Sequence, residues 1–87
     1  MANPFLNIPP SGFIREELER RGMRWQTISV FKAFPTVEDV DARILKDPSS
    51  MSALAHNCCI QFGQTKKFWM NIFTNWRDRE LVKQIPR

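Results

Sequence analysis

Residues 68–76 read Phe68-Trp69-Met70-Asn71-Ile72-Phe73-Thr74-Asn75-Trp76. Phe68 and Ile72 are four residues apart, as are Trp69 and Phe73, and Trp76 follows three residues later. On a helix these side chains therefore share one broad apolar stripe. Because each aromatic ring removes a large area from water when it is buried, we predict that this helix supplies much of the hydrophobic core.

The composition indicates one small all-α domain. The chain has 87 residues, three glycines and no tyrosine, and its apolar residues recur at a spacing of three to four. We predict an extended, proline-containing arm over residues 1–10 and a single domain over residues 11–87. Because no secretory signal and no membrane-spanning run is recognisable, we expect a cytoplasmic protein without a membrane partner.

The first half of the domain is predicted to hold three helices. Ser11 is a candidate N-cap for a helix over residues 12–21, which Gly22 ends. A second helix is predicted over residues 25–34, with Ile28 and Phe31 inward, although this segment also suits a strand. Pro35 ends it. Thr36, with an acid three residues later, predicts the cap of a third helix, which buries Val37, Val40 and Ile44 and ends at Asp47-Pro48.

The second half is predicted to hold two more helices. Ser49 or Ser50 caps the fourth helix, whose apolar stripe runs from Met51 to Phe62 before Gly63 ends it. Thr65 caps the fifth helix, which carries the aromatic stripe to about Lys83.

Charge is distributed unevenly along this basic chain, whose formal net charge is +4. The middle is acidic, with Glu38, Asp39, Asp41 and Asp47 against Arg43 and Lys46. The last third is basic, with Lys66, Lys67, Arg77, Arg79, Lys83 and Arg87 against Asp78 and Glu80. A basic end favours anionic partners such as nucleic acid, and a solvated charged coat is the alternative interpretation.

No pattern of residues predicts catalysis, a metal or another cofactor. Cys58 and Cys59 are adjacent, a spacing that suits neither an ordinary disulfide nor a zinc site, so we expect reduced thiols. His56 and Cys59 are three residues apart, but no third group completes a catalytic set. We therefore expect that the protein is not an enzyme.

Two blocks of sequence resemble HigA-type antitoxins, which are helix-turn-helix proteins related to lambda repressor. Residues 10–22, with Ile14-Arg15-Glu16-Glu17-Leu18 and Gly22, resemble that family's Pro-Gly-x-x-Leu-Arg-Glu-Glu-Leu…Gly opening. Phe68-Trp69-Met70-Asn71 resembles its Phe-Trp-Leu-Asn block. Between them, Gln26, Thr36 and Val40 occupy the positions of the family's Gln, the Ser that opens its recognition helix, and an apolar Ile.

The resemblance covers about residues 10–71 and implies a fold, a function and a set of contact residues. The implied fold is a five-helix lambda-repressor-like domain. The implied function is a homodimeric regulator or antitoxin on operator DNA, with a toxin or another protein as a further partner. The implied DNA-binding residues, carried over or adjacent to the motif, are Gln26, Thr27, Thr36, Asp41, Arg43 and Lys46.

The centre of the chain departs from the family. Val30 and Phe34 stand where the family has Ala and Gly, so the turn of the motif is expected to differ. We expect Glu38, Asp39 and Asp41 to project outward, where they would repel phosphates. The alternative function is therefore a helix-turn-helix-derived protein-binding module, such as a phage or mobile-element inhibitor, that has lost DNA binding.

The last helix offers two further candidate sites. Lys66 and Lys67 oppose the dipole at its N-terminus, so with Arg77 they are candidate anion or partner contacts; solubility is the alternative reason for the lysine pair. Phe73 and Trp76 are candidate dimer or partner contacts, and if the last helix forms the dimer we expect Phe73 or Trp76 to be half-exposed in the monomer.

Overall fold

A computed structural model describes residues 8–83, and four α-helices account for most of them. They are α1 (Pro10–Arg21), α2 (Glu38–Lys46), α3 (Met51–Phe62) and α4 (Lys66–Lys83). Single 3₁₀ turns lie at Trp25–Thr27, Ser29–Phe31 and Pro48–Ser50. The prediction of an all-α fold is confirmed for this part of the chain, which contains no strand. Most of the predicted arm, and residues 84–87, lie outside it.

The helices begin and end at residues with special backbone geometry. α1 begins at Pro10, two residues earlier than predicted, and Gly22 ends it at a φ of 62° in the left-handed region. The side chain of Thr65 accepts the backbone N–H of Phe68 at 3.0 Å, as predicted for the cap of α4. Two predicted caps are wrong, because Ser11 lies inside α1 and Thr36 accepts no backbone N–H from α2.

The prediction of five helices is wrong, because residues 25–34 form two 3₁₀ turns instead of an α-helix. Ile28 separates the turns with an extended backbone, at φ −92° and ψ 104°. β-Branched residues at positions 27, 28 and 30 lower the helix propensity of the segment. The indole N–H of Trp25 donates to the carbonyl oxygen of Phe34 at 2.7 Å and so closes the segment into a compact loop.

A chain of aromatic contacts joins this loop to the last helix. Trp25 stacks on Phe31 with ring centroids 4.6 Å apart, and Phe31 lies 6.3 Å from Phe62 of α3. Trp69 of α4 continues the chain, at 6.0 Å from Phe62 and 6.3 Å from Phe73. Ring pairs at these separations attract one another beyond the effect of burial alone. The prediction that the aromatic helix supplies much of the core is confirmed.

The core takes residues from every helix and from the loop. α3 and α4 pack on each other most extensively, and α1 and α2 cover them. The buried apolar residues are Ile14, Leu18, Trp25, Ile28, Phe31, Val37, Val40, Ile44, Leu54, Ala55, Cys58, Phe62, Trp69, Phe73 and Trp76. Ile28 and Phe31 thus point inward as predicted, although their segment is not a helix.

Candidate nucleic-acid interface

Helix α2 is the element that the family resemblance makes the recognition helix, and its inner side is apolar. Val40 and Ile44 are fully buried, and Val37, just before the helix, is nearly so. This stripe fixes how the helix rotates about its own axis. It therefore also sets the approximate direction from which each neighbouring charged side chain leaves the helix.

Asp41 points toward α1 and accepts hydrogen bonds from the first turn of that helix. One carboxylate oxygen, Oδ1, accepts the backbone N–H of Ser11 at 2.9 Å, and the other, Oδ2, accepts its hydroxyl at 2.5 Å. Because Pro9, the N-cap of α1, makes no side-chain capping bond, Asp41 satisfies an N–H that would otherwise lack a partner. The negative charge also lies at the positive end of the α1 dipole.

The surroundings of Asp41 change its titration. Burial raises the pKa of this carboxyl above its ordinary value, and the two hydrogen bonds from Ser11 oppose that change. Nearby Glu38 raises the pKa further, and Arg15 lowers it.

The other two acids of α2 also have partners within the chain. Glu38 pairs with Arg15 of α1 in an exposed ion pair. Asp39 Oδ2 accepts the backbone N–H of Thr36 at 2.8 Å and its hydroxyl at 3.1 Å, which is one half of a capping box.

The expectation that all three acids project outward is therefore wrong for Asp41. That side chain is partly buried and has both oxygens engaged by Ser11, so it is not available to contact a base. Asp41 was predicted from the sequence as a DNA-binding residue. In the structure, the hydrogen bonds that it accepts from Ser11 hold α1 against α2.

The cations of α2 have no such partners. Ion pairs in residues 8–83 use only Arg15, Arg20, Arg21 and Lys83 as the basic member. Arg43 and Lys46 are exposed, and the guanidinium carbon of Arg43 lies 5.5 Å from the centre of the Phe34 ring. This is a cation–π contact, which holds the guanidinium over the ring.

Four of the predicted contact residues line concavities on the two sides of Phe34 and Pro35. On one side, a shallow concavity is lined by Ala33, Phe34, Pro35, Asp39, Ala42, Arg43 and Lys46. On the other side, Gln26 and Thr27 help to line a second concavity, which shares Phe34 and Pro35 and also includes Lys32. Gln26, Thr27 and Thr36 are exposed. We call this surface the Phe34 face, defined by residues 26, 27, 32–36, 39, 42, 43 and 46.

Phe34 does not adopt the left-handed conformation that a glycine takes readily in a turn. Gln64 is the only residue other than glycine with a positive φ in the described part of the chain, so Phe34 avoids the left-handed conformation. Phe34 is half-buried and packs its ring edge-on to Phe31 at 6.4 Å. The bulky ring is accommodated by the loop and is not strained into a glycine-like turn.

The candidate residues of α4 do not belong to the Phe34 face. Lys66 and Lys67 are exposed at the first turn of α4. Arg77 is partly buried, and its Nε has no hydrogen-bond partner among the residues described. These three residues line neither concavity beside Phe34.

The expectation that Phe73 or Trp76 is half-exposed is wrong. Phe73 is fully buried and only 9% of Trp76 is exposed, because both side chains belong to the stripe of α4 that faces the core. The more exposed apolar residues of α4 are Phe68, at 38%, and Val82, at 63%. Phe68 and Ile72 line a groove with Phe13 of α1, beside Trp76.

Neither cysteine has the surroundings of a reactive thiol. Cys58 is fully buried, and burial raises the pKa of its thiol to about 12, which keeps it protonated. The Cys59 thiol donates to the carbonyl oxygen of Gln64 at 3.2 Å. Residues 8–83 hold no cluster of three or more His, Cys, Asp or Glu side chains that could bind a metal ion.

Two features of the interface were not recognised from the sequence. The bond between Asp41 and Ser11 joins residues thirty apart, and periodicity carries no information on such a contact. One signal was present, because two prolines before Ser11 leave α1 without a capping side chain of its own. The contact between Arg43 and Phe34 depends on the loop conformation, which the helix prediction for residues 25–34 obscured.

No match was found when the chain was compared with models of known protein families, with curated proteins and with solved structures. Within residues 8–83, no helix is both long enough and apolar enough to span a bilayer.

Proposed function

We propose that this chain is a HigA-type DNA-binding regulator or antitoxin that acts as a dimer on operator DNA, with α2 approaching the major groove. The observation that carries the proposal is the arrangement of charge on α2. Its three acids have partners within the chain, and two of these partners, Ser11 and Arg15, belong to α1. Arg43 and Lys46, in contrast, are exposed and unpaired among the described residues.

This arrangement reduces the main objection to DNA binding. Three unpaired carboxylates on α2 would repel phosphates. Here the charge of Glu38 is offset by Arg15, and Asp41 is drawn toward α1. Lys32, Arg43 and Lys46 then supply positive charge on the Phe34 face, where Gln26, Thr27 and Thr36 offer hydrogen-bonding groups to phosphate oxygens.

A binding titration at several salt concentrations tests the proposal. The DNA would be the chain's own promoter region and, separately, a pool of random duplexes. We expect affinity to fall steeply as salt rises, with a slope of about −0.9 in the logarithmic plot for each phosphate neutralised. Arg43→Ala should weaken binding, and Arg79→Ala, which removes the same charge from α4, is the matched control. Absence of binding to any duplex at low salt would contradict the proposal.

The loop over residues 25–34 favours a second candidate, the protein-binding module. In a helix-turn-helix the first helix of the motif positions the second, and two 3₁₀ turns stand in its place here. A chain that has lost DNA binding could still present the Phe34 face to a toxin or another protein. If no duplex binds at low salt, while the product of an adjacent gene forms a stoichiometric complex that Arg43→Ala disrupts, this second function is supported.

A further inference from the structure

We propose that Arg43 reads a guanine base and that Phe34 holds its guanidinium in position to do so. This inference rests on the proposed function, since it names the base contact that α2 makes in the major groove. Arginine is the side chain that most often recognises guanine, because its planar fork donates to O6 and N7 together.

The first support is that Arg43 has no partner in the part of the chain that the structure describes. Asp39 stands four residues earlier on α2, the spacing at which an acid commonly pairs with an arginine. Its Oδ2 instead accepts both donors of Thr36. No ion pair or hydrogen bond uses the Arg43 guanidinium within residues 8–83, so its donors remain available to a ligand.

The second support is that the position of Arg43 is restricted. Its guanidinium carbon lies 5.5 Å from the centre of the Phe34 ring. The Phe34 ring is itself fixed against the buried Phe31, and the Phe34 carbonyl is fixed by Trp25. An arginine that is already held over a ring loses less side-chain freedom on binding than one that moves freely in water.

The third support is the space around the guanidinium. Besides Phe34, the concavity that contains Arg43 is lined by the small residues Ala33 and Ala42, by Pro35 and by Lys46. Asp39 also lines it, and its Oδ2 accepts both donors of Thr36. Small neighbours leave room for a base edge. Lys46 carries a compact charge that suits a phosphate and not a planar fork. The two cations are therefore assigned different partners: guanine for Arg43 and the DNA backbone for Lys46.

Selection from a random-sequence duplex library tests this assignment, followed by affinity measurements on the selected duplex and on single-base variants of it. Wild-type protein should enrich guanine at one fixed position of each half-site. Arg43→Lys keeps the charge and removes the fork, so it should lose roughly 5- to 150-fold of the discrimination against other bases at that position. Lys46→Met is the control, which should weaken binding to all the duplexes equally.

Phe34→Leu tests the role of the ring with little change in apolar volume. This variant should lose more affinity for the selected duplex than for duplexes with another base at the guanine position, and so discriminate less well there. Circular dichroism and thermal unfolding should show that it remains folded; if it does not, Phe34→Met replaces it.

The outcomes separate the inference from the function on which it depends. Absence of binding by wild type to the whole library overturns both. Binding by wild type with no enriched guanine, or with a guanine preference that Arg43→Lys retains, overturns the base assignment alone. A preference that the folded Phe34 variant, Phe34→Leu or its replacement Phe34→Met, retains overturns the role of the ring.

Discussion

Two acids of α2 have partners on α1, whereas the two cations beside residues 33–35 have neither an ion pair nor a side-chain hydrogen bond within residues 8–83. Glu38 pairs with Arg15, and Asp41 bonds Ser11. Arg43 rests on an aromatic ring, and Lys46 is solvated. A nine-residue helix that looks acidic in sequence thus has its acids engaged within the chain, and under the proposed function its cations contact DNA.

The largest expected effect is the loss of DNA affinity when both cations of α2 are replaced. Replacing Arg43 and Lys46 together by Ala removes the proposed base contact and the proposed phosphate contact. The free energy of DNA binding should therefore weaken by about 1 to 3 kcal/mol or more, the range for one arginine base contact. The slope of the logarithm of affinity against the logarithm of salt concentration should also become shallower by about 0.9, the value for one phosphate. Titration of a fluorescent duplex at four salt concentrations measures both. An unchanged affinity would remove α2 from the interface.

The next effect comes from the side that faces α1. Asp41→Ala leaves the N–H of buried Ser11 without a partner, so the free energy of unfolding should fall by about 1 to 2 kcal/mol. Urea denaturation measures the loss. Ser11→Ala removes only the hydroxyl half of the contact and should cost less. If both variants are as stable as wild type, the bond between α1 and α2 contributes nothing.

The apolar stripe of α2 and the hydrogen bonds of Asp41 differ in how far the sequence predicts them. The stripe of Val37, Val40 and Ile44 has helical spacing, and its burial was predicted because that spacing is local. The partner of Asp41 lies thirty residues away, and nothing local indicates it. The prediction that Asp41 projects outward failed because apolar stripes fix where neighbours point only approximately, and a hydrogen bond can draw a flanking side chain to either side.

The same distinction between local spacing and distant contacts explains which parts of the fold were predicted correctly. The four helices were predicted, since each carries apolar residues at the spacing of its buried face. Residues 25–34 were predicted wrongly because their conformation is set by tertiary contacts, namely the Trp25–Phe31 stack and the bond from Trp25 to Phe34. On α4, the stripe was recognised, but Phe73 or Trp76 was expected to be half-exposed, although both lie within the core. Periodicity does not reveal how much of a stripe neighbouring helices cover.

A small effect is expected at Glu38. Its ion pair with Arg15 is exposed, so Glu38→Gln should change the free energy of unfolding by no more than about 0.5 kcal/mol. Removing an acid from the helix near phosphates should at the same time tighten DNA binding slightly, most at low salt. A large loss of stability would show that this pair, and not Asp41, holds α1 to α2.

The smallest effect is a pH dependence at Asp41. Because its pKa in the folded chain is raised, the stability that this group contributes is present below its ordinary pKa and is lost as pH rises through the folded value. The stability of wild type relative to Asp41→Asn should therefore decline as pH rises from acidic values toward neutrality. Urea denaturation of both proteins at a series of pH values measures this difference, and a rise would contradict the raised pKa.

The most direct test measures DNA affinity for Asp41→Ala and Arg43→Ala side by side, at a temperature where circular dichroism shows both variants folded. If α2 uses its acids for folding and its cations for DNA, Arg43→Ala loses affinity, whereas Asp41→Ala binds as tightly as wild type while unfolding at lower urea. An equal loss of affinity in both variants, or none in Arg43→Ala, would contradict this division of the helix.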